Sequence, residues 1–378
     1  MRRMLRIEVS AAAIAHNIRV LRDEIGRDVR FCAVVKSNAY GHGINLVWPV
    51  IAEHADWLAV ASADEAVALR DLGYAGPLLM LFCARACGVE TEAIELLAEL
   101  IRRDVILTVT DPADVELVKL AAIAADTHAA VHLELDSGMT RSGAAPDQVF
   151  PILDTIGETP EIRLDGLYTH FATADEKDRS FMHQQLDMTN EVITISDTTG
   201  STVLHCANSA AAALCPEARM DMVRVGLMMY GCRPAPHIAP HLDLMPALRL
   251  VSGIMQIHEV PRDTRVGYGL TYTCERPSRI GLVAGGYGDG YLRALSNSGV
   301  VRIGNAVAPV VGRVSMDQIS VDLTDLPSVM VGDAVELIAN DGNAPNSVGG
   351  LAKAAATISY EILTRMASHR MERILVDA

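Results

Sequence analysis

Eight short apolar segments, each followed by a stretch with helical periodicity, recur between residues 30 and 231 of this 378-residue chain. Strands that alternate with helices form parallel sheets, because each helix carries the chain back to the starting edge. Eight such units predict an α/β fold, a (β/α)8 TIM-type barrel whose reactive groups lie at the carboxyl ends of the strands. The predicted strands are Arg30–Val35, Trp57–Ala61, Leu78–Phe82, Val105–Thr110, Ala130–Leu135, Leu164–His170, Thr202–Cys206 and Val223–Met229.

The pattern changes after Gly231, where a proline-rich stretch excludes a helix interior. From Leu248 to about Leu337, apolar residues alternate with period two between glycine and proline turns, which predicts a β-rich domain. Residues 345–368 are predicted to be helical, and Glu372–Ala378 to form a last strand. We therefore predict a barrel domain over residues 1–235, of which about the first eight residues pair with a mainly β domain over residues 236–378.

Composition argues against several classes of function. The formal net charge of −15 repels nucleic acid and anionic membranes. No apolar run is long enough to cross a bilayer, and Glu8 interrupts the basic N-terminus before a signal-peptide core forms. Seven cysteines without a CxxC pair disfavour a disulfide framework or a metal site. We expect a cytoplasmic protein that binds neither nucleic acid, membrane nor metal.

Lys36 stands where the first predicted strand ends and a polar, turn-rich segment begins. A lysine at the mouth of an apolar strand is costly to desolvate as an ammonium, so its pKa falls, and the neutral amine can form an imine with a carbonyl compound. The alternative is a lysine whose stem covers apolar surface while its ammonium remains in water.

Polar residues follow the seventh predicted strand and lie in the eighth. Asn208 and Ser209 stand at a predicted helix start, and Arg224 is followed closely by Gly226. Loops after the seventh and eighth strands of barrels commonly bind phosphate. Taken singly, Ser209 is explained by helix capping and Gly226 by packing. Together with Lys36, they converge on one end of the predicted barrel.

Residues 34–43, Val-Val-Lys-Ser-Asn-Ala-Tyr-Gly-His-Gly, resemble the pyridoxal-phosphate attachment segment of the alanine racemase family, and further matching segments follow in order to about residue 370. The resemblance implies that pyridoxal 5'-phosphate is attached to Lys36 and that hydroxyl and backbone groups bind its phosphate. The implied cofactor-binding residues are Lys36, Tyr40, His170, Asn208, Ser209, Arg224, Gly226, Leu227 and Tyr360.

Arg224 separates this family from its closest alternative. The resemblance places this arginine against the pyridine nitrogen, which it cannot protonate because its own pKa is too high. An unprotonated ring is a weaker electron sink, which favours returning a proton to the same carbon. Amino-acid decarboxylases of similar architecture need an acidic residue there, and non-catalytic pyridoxal-phosphate carriers lack a β-domain.

Inversion of a stereocentre requires acid/base groups on both faces. The resemblance implies Lys36 for one face and Tyr268 for the other, and the phenol pKa, ordinarily near 10, must be lowered before tyrosine is a useful base. Because β-domain residues of relatives reach the other subunit's barrel, a homodimer with shared sites is implied. The implied substrate-binding residues are Arg141, Tyr287, Arg293, Met316 and Asp317.

Glu134 is a departure from the family, many of whose members carry a lysine there, often carbamylated. We expect its carboxylate to hold Arg141 by a charge-assisted hydrogen bond; the alternative is that Glu134 faces solvent or a neighbouring helix. The resemblance implies an enzyme that interconverts L-alanine and D-alanine for peptidoglycan. Racemases of serine, of basic amino acids or of a broader range remain alternatives, since a small pocket rejects an added hydroxyl weakly.

Overall fold

The computed structural model describes residues 4–88, 91–196, 202–366 and 371–377. The chain opens with strand β1 (Arg6–Ser10) and helix α1 (Ala11–Ile25). An eight-stranded parallel sheet follows. Its strands are β2 (Arg30–Val34), β3 (Trp57–Val60), β4 (Leu78–Cys83), β5 (Val105–Val109), β6 (Ala129–Leu135), β7 (Ile162–Thr169), β8 (Val203–His205) and β9 (Met222–Val225).

The parallel sheet curls into a nearly closed barrel. Each strand from β2 to β8 pairs with the next, and β9 pairs with β2. Two backbone hydrogen bonds bridge the remaining seam, from Asp221 N to Leu204 O (3.1 Å) and from Arg224 N to Ala207 O (2.9 Å). The predicted barrel is confirmed.

Amphipathic helices cover the barrel and bury one apolar face against it. Helix α1 begins directly after Ser10, whose hydroxyl caps it by accepting a hydrogen bond from Ala13 N (3.0 Å). The other helices in this half are α2 (Lys36–Tyr40), α3 (Ile44–His54), α4 (Ala63–Asp71), α5 (Thr91–Arg102), α6 (Pro112–Ala125), α7 (Pro146–Gly157), α8 (Ser180–Ser196) and α9 (Ser209–Leu214).

The first seven predicted barrel strands match the observed ones within two residues at each end, but the eighth prediction was too long. Strand β9 ends at Val225, and Leu227–Tyr230 forms a 3₁₀ turn instead. All four residues of this turn are buried. A short buried apolar run has the same hydrophobic pattern in a strand and in a turn, so periodicity could not separate them.

The second half of the chain is mainly β, as predicted. Residues 345–366 contain two short helices rather than one, whereas 367, 368 and Ala378 lie outside the described residues. The strands are β10 (Leu248–Val260), β11 (Arg265–Val266), β12 (Tyr272–Thr273), β13 (Ser278–Ala284), β14 (Val300–Ile303), β15 (Ala306–Pro309), β16 (Gln318–Asp322), β17 (Ala334–Ile338) and β18 (Glu372–Val376), and the helices are α10 (Val348–Ala354) and α11 (Ser359–Thr364).

Strand β1 lies within the sheet of the second half. It pairs antiparallel with β10 and parallel with β18, so the sheet order is β15-β14-β17-β10-β1-β18, with β13 joining β10 to β16. The division of the chain at residue 235 stays a prediction. Among the described helices, none combines the length and apolar character needed to cross a bilayer.

A ladder of charges ties β1 to its neighbours. The buried carboxylate of Glu8 accepts hydrogen bonds from Arg6 Nε (2.6 Å) and from Arg249. Arg249 also contacts Glu336 (3.2 Å), which accepts a hydrogen bond from Arg302 Nε (2.6 Å). Burial raises the pKa of Glu8, but its bonds to the two arginines outweigh burial and hold the pKa below its usual value.

We expect Glu8→Gln to lower the free energy of unfolding at pH 7 by about 1–3 kcal/mol, because the arginines lose a buried charged partner. Since the carboxyl pKa is lower in the folded state, this contribution is present above the unfolded pKa and is lost as pH falls through the folded value. Urea unfolding at pH 7 and pH 3 measures both effects. The control Glu259→Gln, whose exposed carboxylate pairs with Arg279 (3.1 Å), should change stability by less than about 0.5 kcal/mol. Equal losses for both variants at pH 7 would contradict the prediction.

Candidate active site

Lys36 lies directly after β2, at the carboxyl end of the barrel. The next four residues, Ser37 to Tyr40, all have φ between 52° and 56°, so α2 is a left-handed turn built from residues other than glycine. Such a backbone costs roughly 1–2 kcal/mol per residue. It persists only where the surroundings over-determine it, which is typical of functional sites.

Side chains from several elements hold this turn. The carboxylate of Glu65 accepts hydrogen bonds from Ser37 N (2.6 Å) and Ala61 N (2.8 Å). The imidazole of His42 is buried, and its Nδ1 lies 2.9 Å from the carbonyl oxygen of Ala39. These contacts fix the direction in which Lys36 leaves β2.

The amine of Lys36 has no bonding partner among the described residues. The side chain is half-buried, and within the described ranges no hydrogen bond or ion pair engages it. Burial lowers its pKa, the charges of Arg141 and Arg224 lower it further, and Glu65 only partly opposes them. A larger fraction of the amine is therefore neutral, as a nucleophile or base requires.

A cluster of hydroxyl and backbone groups lies beside this turn. Ser209 is buried, and its Oγ accepts a hydrogen bond from Gly226 N (3.0 Å). The hydroxyl of Tyr40 sits so close to Gly226 that a Cβ at this position would collide with it. The ring of Tyr360 lies 6.1 Å from that of Tyr40. Burial raises the pKa of both phenols, that of Tyr360 to about 12, which keeps them as hydrogen-bond donors.

The side chain of Asn208 has a local partner in this cluster. Its Oδ1 accepts hydrogen bonds from Ala210 N and Ala211 N (both 3.1 Å) and so caps α9. Leu227 follows Gly226 in the 3₁₀ turn and is buried. Asn208 thus caps the helix that begins at Ser209. The structure brings together the candidates Tyr40, Ser209, Gly226, Leu227 and Tyr360.

Arg224 projects from β9 into the barrel and is 4% exposed. Its Nη1 lies 2.6 Å from Nδ1 of His205, and its Nη2 donates to the carbonyl oxygen of Thr169 (2.7 Å) and lies 3.3 Å from Nδ1 of His170. Its guanidinium carbon lies 4.9 Å from the ring centroid of Tyr168. Within the described part of the chain, no hydrogen bond uses Nε, which leaves one donor for a ligand.

His170 lies between the candidate groups. Burial, together with the charges of Arg224, Arg141 and Lys36, lowers its pKa to about 3. The imidazole is therefore neutral. The guanidinium groups of Arg224 and Arg141 both act on this ring, so this part of the barrel mouth suits an anionic ligand.

The expected hydrogen bond between Arg141 and Glu134 is wrong. The carboxylate of Glu134 is buried and accepts a hydrogen bond from Ser142 Oγ (2.6 Å), and the described residues contain no ion pair between it and Arg141. The loop after β6 doubles back through Ala144, whose N donates to Glu134 O (2.7 Å), so Ser142 reaches the carboxylate instead. Arg141 is exposed at the barrel mouth.

The remaining candidates lie in the second half of the chain. Backbone hydrogen bonds join Tyr287 N to Ser315 O (3.0 Å) and Gly288 N to Met316 O (2.9 Å), which places Tyr287 beside Met316. Asp317 O accepts from Gly285 N (2.8 Å) in the same segment. Tyr287 and Arg293 line one cavity of about 430 Å³.

Tyr268 is not brought to Lys36 within one chain. It is 69% exposed, in a 3₁₀ turn between β11 and β12, and no hydrogen bond or ring contact joins it to Lys36 in the described residues. A Cβ on the following residue, Gly269, would lie 3.2 Å from the guanidinium carbon of Arg313. The tyrosine is thus presented outward beside an arginine.

Several polar residues inside the barrel were not identified from the sequence. His132, Tyr168 and His205 are buried around Arg224. Gln185 of α8 is also buried, and its Nε2 donates to Ser137 Oγ (3.1 Å) and His170 O (3.2 Å). Polar residues at alternate positions of β6 (His132 and Glu134) were the available signal for a polar barrel interior.

Pyridoxal phosphate fits these groups. The hydroxyls of Tyr40 and Ser209 lie against Gly226, whose missing Cβ leaves room for the Tyr40 hydroxyl, and the ring of Tyr360 lies 6.1 Å from that of Tyr40, so these groups offer the hydroxyl donors that phosphate oxygens require. A neutral amine at Lys36 can react with the aldehyde of pyridoxal phosphate. The Nε–H of Arg224, which has no acceptor in the described residues, can donate to the pyridine nitrogen. No group of three or more metal-ligating side chains is found within the described ranges.

The structure defines a protein of the (β/α)8-barrel class with a lysine at the barrel mouth and a mainly β second half. Residues 9–234 match the family model described as "Alanine racemase, N-terminal domain", and residues 247–375 match "Alanine racemase, C-terminal domain". The chain belongs to the alanine racemase family. The prediction from its sequence motifs is confirmed.

Relatives match over nearly the whole chain. Alanine racemase of Synechocystis is 36% identical over 98% of both chains, and alanine racemase 2 of Oceanobacillus iheyensis is 36% identical over 94% of this chain and 89% of its own. The crystal structure of alanine racemase from Streptomyces lavendulae has a TM-score of 0.93 at 31% identity and covers 100% of this chain and 98% of that one. Biosynthetic alanine racemase of Pseudomonas aeruginosa has a TM-score of 0.86 at 35% identity and covers 99% and 100%.

Proposed function

We propose that the protein interconverts L-alanine and D-alanine with pyridoxal 5'-phosphate attached to Lys36. The observation that carries this proposal is the amine of Lys36, which has a lowered pKa, has no hydrogen bond or ion pair in the described residues, and directly precedes a left-handed turn that ends at Tyr40. When bound, the cofactor supplies an electron sink that stabilises negative charge at the α-carbon of the amino acid. Membership of the family and the small amino-acid substrate of its members support this assignment.

Each end of the cofactor would be held by different residues. Tyr40, Ser209, Tyr360 and the backbone at Gly226 and Leu227 would bind the phosphate, with Asn208 orienting α9. His170 would face the ring, and Arg224 would donate to the ring nitrogen without protonating it. An arginine at this position directs the α-carbon toward reprotonation, which is the outcome that racemisation requires.

The substrate carboxylate would be bound by cationic and polar groups. Arg141 is exposed at the barrel mouth and can offer its planar fork to a carboxylate. Met316 and Asp317 would bind the substrate from the second domain, and Tyr287 and Arg293 would line the entrance. A cytoplasmic role in supplying D-alanine for peptidoglycan, and the division into domains at residue 235, belong to the same proposal.

Two residues would move the proton on opposite faces of the α-carbon. Lys36 would serve one face, since its depressed pKa leaves a neutral amine able to accept a proton. Tyr268 would serve the other face. Because Tyr268 is exposed and unconnected to Lys36 within the described chain, it would act in the site of a second subunit, in a homodimer with two shared sites.

Borohydride reduction of the cofactor-loaded protein should leave a pyridoxyl label on Lys36. The chain has only four lysines, Lys36, Lys119, Lys177 and Lys353, so peptide mapping gives an unambiguous answer. Lys36→Ala should lose the label and racemisation together, whereas Lys119→Ala, which removes an exposed partner of Glu116, should keep both. A label on another lysine, with Lys36 unmodified, would falsify the proposal.

Replacing Tyr268 with phenylalanine should suppress proton abstraction from one enantiomer far more than from the other. By family resemblance, the suppressed substrate is L-alanine, and Lys36 continues to act on D-alanine. Loss of a general base is expected to cost roughly 10²–10⁴-fold. Deuterium exchange from solvent into each enantiomer, followed separately by mass spectrometry, measures this asymmetry. The same loss for both enantiomers would exclude separate bases.

Mixing two inactive variants should restore activity if each site uses both subunits. Lys36→Ala and Tyr268→Phe chains, after exchange of subunits, form heterodimers in which one of the two sites has both residues intact. We expect up to a quarter of wild-type activity from a statistical mixture, because about half of the dimers are mixed and each carries one intact site. Each variant incubated alone is the control. No recovery after exchange verified by native mass spectrometry would argue against a shared site.

A further inference from the structure

We propose that His132 and His205 are positioning residues that fix the orientation of the Arg224 guanidinium, through a chain of hydrogen bonds whose direction the arginine itself sets. The chain runs from Arg224 Nη1 to His205 Nδ1 (2.6 Å) and from His205 Nε2 to His132 Nδ1 (2.9 Å). All three side chains are buried in the barrel. The consequence for the reaction rests on the proposed function of Arg224.

The donor direction follows from chemistry. A guanidinium only donates, so His205 Nδ1 must accept and carry no proton. The single proton of a neutral His205 is then on Nε2 and is donated to His132 Nδ1. That nitrogen must also be unprotonated, so the proton of His132 is on Nε2. One arginine therefore selects the same tautomer, with hydrogen on Nε2, in two successive imidazoles.

Protonation of either imidazole would break this chain. An imidazolium at His205 would turn a donor toward the donating guanidinium, and an imidazolium at His132 would do the same toward His205. The charged or titratable groups facing the pair are Arg224 on β9 and Asp165 and Tyr168 on β7; the ring of Tyr168 lies 4.8 Å from that of His205. Burial, with the Arg224 charge, lowers the pKa of His132 to about 3 and holds that of His205 well below its usual value.

The strand next to His132 leaves space for its imidazole ring. On the neighbouring strand β7, a Cβ at Gly166 would lie 2.5 Å from Cε1 of the imidazole, so only glycine leaves the ring its space. The pairing of β6 with β7 also shifts register between Val131 and His132. A glycine and a bulge at one point are features that proteins use to place a particular side chain.

The imidazole of His132 also has an energetic cost, because one of its nitrogens is buried without a partner among the described residues. Its Nε2 is buried and has no hydrogen-bond partner in the described part of the chain. Buried polar atoms are nearly always paired, and an apolar side chain of similar size would avoid the penalty. Folding alone therefore does not explain an imidazole here. Accepting the proton of His205, and so keeping His205 Nδ1 free for Arg224, does explain it.

The tautomers can be measured directly. We expect nitrogen-15 NMR of histidine-labelled protein, recorded with and without pyridoxal phosphate, to show hydrogen on Nε2 and none on Nδ1 for both residues from pH 6 to pH 8. His132→Asn and His205→Asn assign the two resonances among the 12 histidines. A proton on Nδ1 of either residue, or an imidazolium in this range, would overturn the proposal.

Matched variants test the consequence for the reaction. Asparagine at residue 132 places an amide oxygen near the position of Nδ1 and can still accept from His205, whereas leucine cannot. Loosening Arg224 should admit transamination, in which alanine leaves as pyruvate and its amino group stays on the cofactor. We expect His132→Leu to lower the ratio of racemisation to transamination by up to about tenfold, the value of one hydrogen bond, and His132→Asn to stay near wild type.

The outcomes separate the positioning role from the proposed function. If both His132 variants keep the wild-type ratio while Arg224→Glu raises transamination, the positioning role is wrong and the assignment of Arg224 stands. If Arg224→Glu also leaves the ratio unchanged, the assignment of Arg224 fails. Equal loss in both His132 variants would mean that the imidazole acts through packing, which also overturns the proposal. Should His132→Leu fail to fold, the tautomers of the wild-type protein still decide.

Discussion

The barrel is organised around one buried cation. Barrel interiors are usually filled by branched aliphatic side chains, and an unpaired charge there is expensive. Arg224 instead donates to acceptors at the ends of two strands, β7 and β8, including Thr169 O, His205 Nδ1 and Cys206 O. No carboxylate forms an ion pair with it in the described ranges. Carbonyl and imidazole dipoles thus stabilise the positive charge of Arg224, but no carboxylate of the described residues neutralises it. The charge can therefore act on a ligand bound at the barrel mouth.

The left-handed turn after β2 links this core to the second domain. Gly41 ends the turn with φ of 81°, and a Cβ on it would collide with the carbonyl oxygen of Leu363 in α11. Arg373 of β18 donates to Gly41 O (3.1 Å). Because these partners lie more than 300 residues away in sequence, the strained turn forms only when the chain is fully folded. The reactive geometry of Lys36 therefore depends on both halves of the chain.

Sequence patterns predicted the barrel, the β-rich second half and Lys36 at a strand end, because hydrophobic periodicity and strand ends are local properties. They could not locate the end of β9, where four buried apolar residues form a turn. They also failed at Glu134, since whether a side chain reaches Arg141 or Ser142 depends on how a loop folds back. The imidazoles of His132 and His205 were not predicted, because the role of a buried histidine depends on its hydrogen-bond partners, and these are distant in sequence.

The exposed aromatic residues of the second domain bear on the proposed sharing of the site between two subunits. The turn that carries Tyr268 lies beside Arg313, and the backbone of Tyr287 is hydrogen-bonded to Ser315. The exposed side chains of Tyr268, Tyr287 and Met316 therefore all lie near residues 313–316. Large apolar side chains that cluster on a surface generally mark an interface. The barrel mouth, in turn, has a lysine without a bonded partner and an exposed Arg141. This complementarity is the physical argument for the proposed site shared between two subunits.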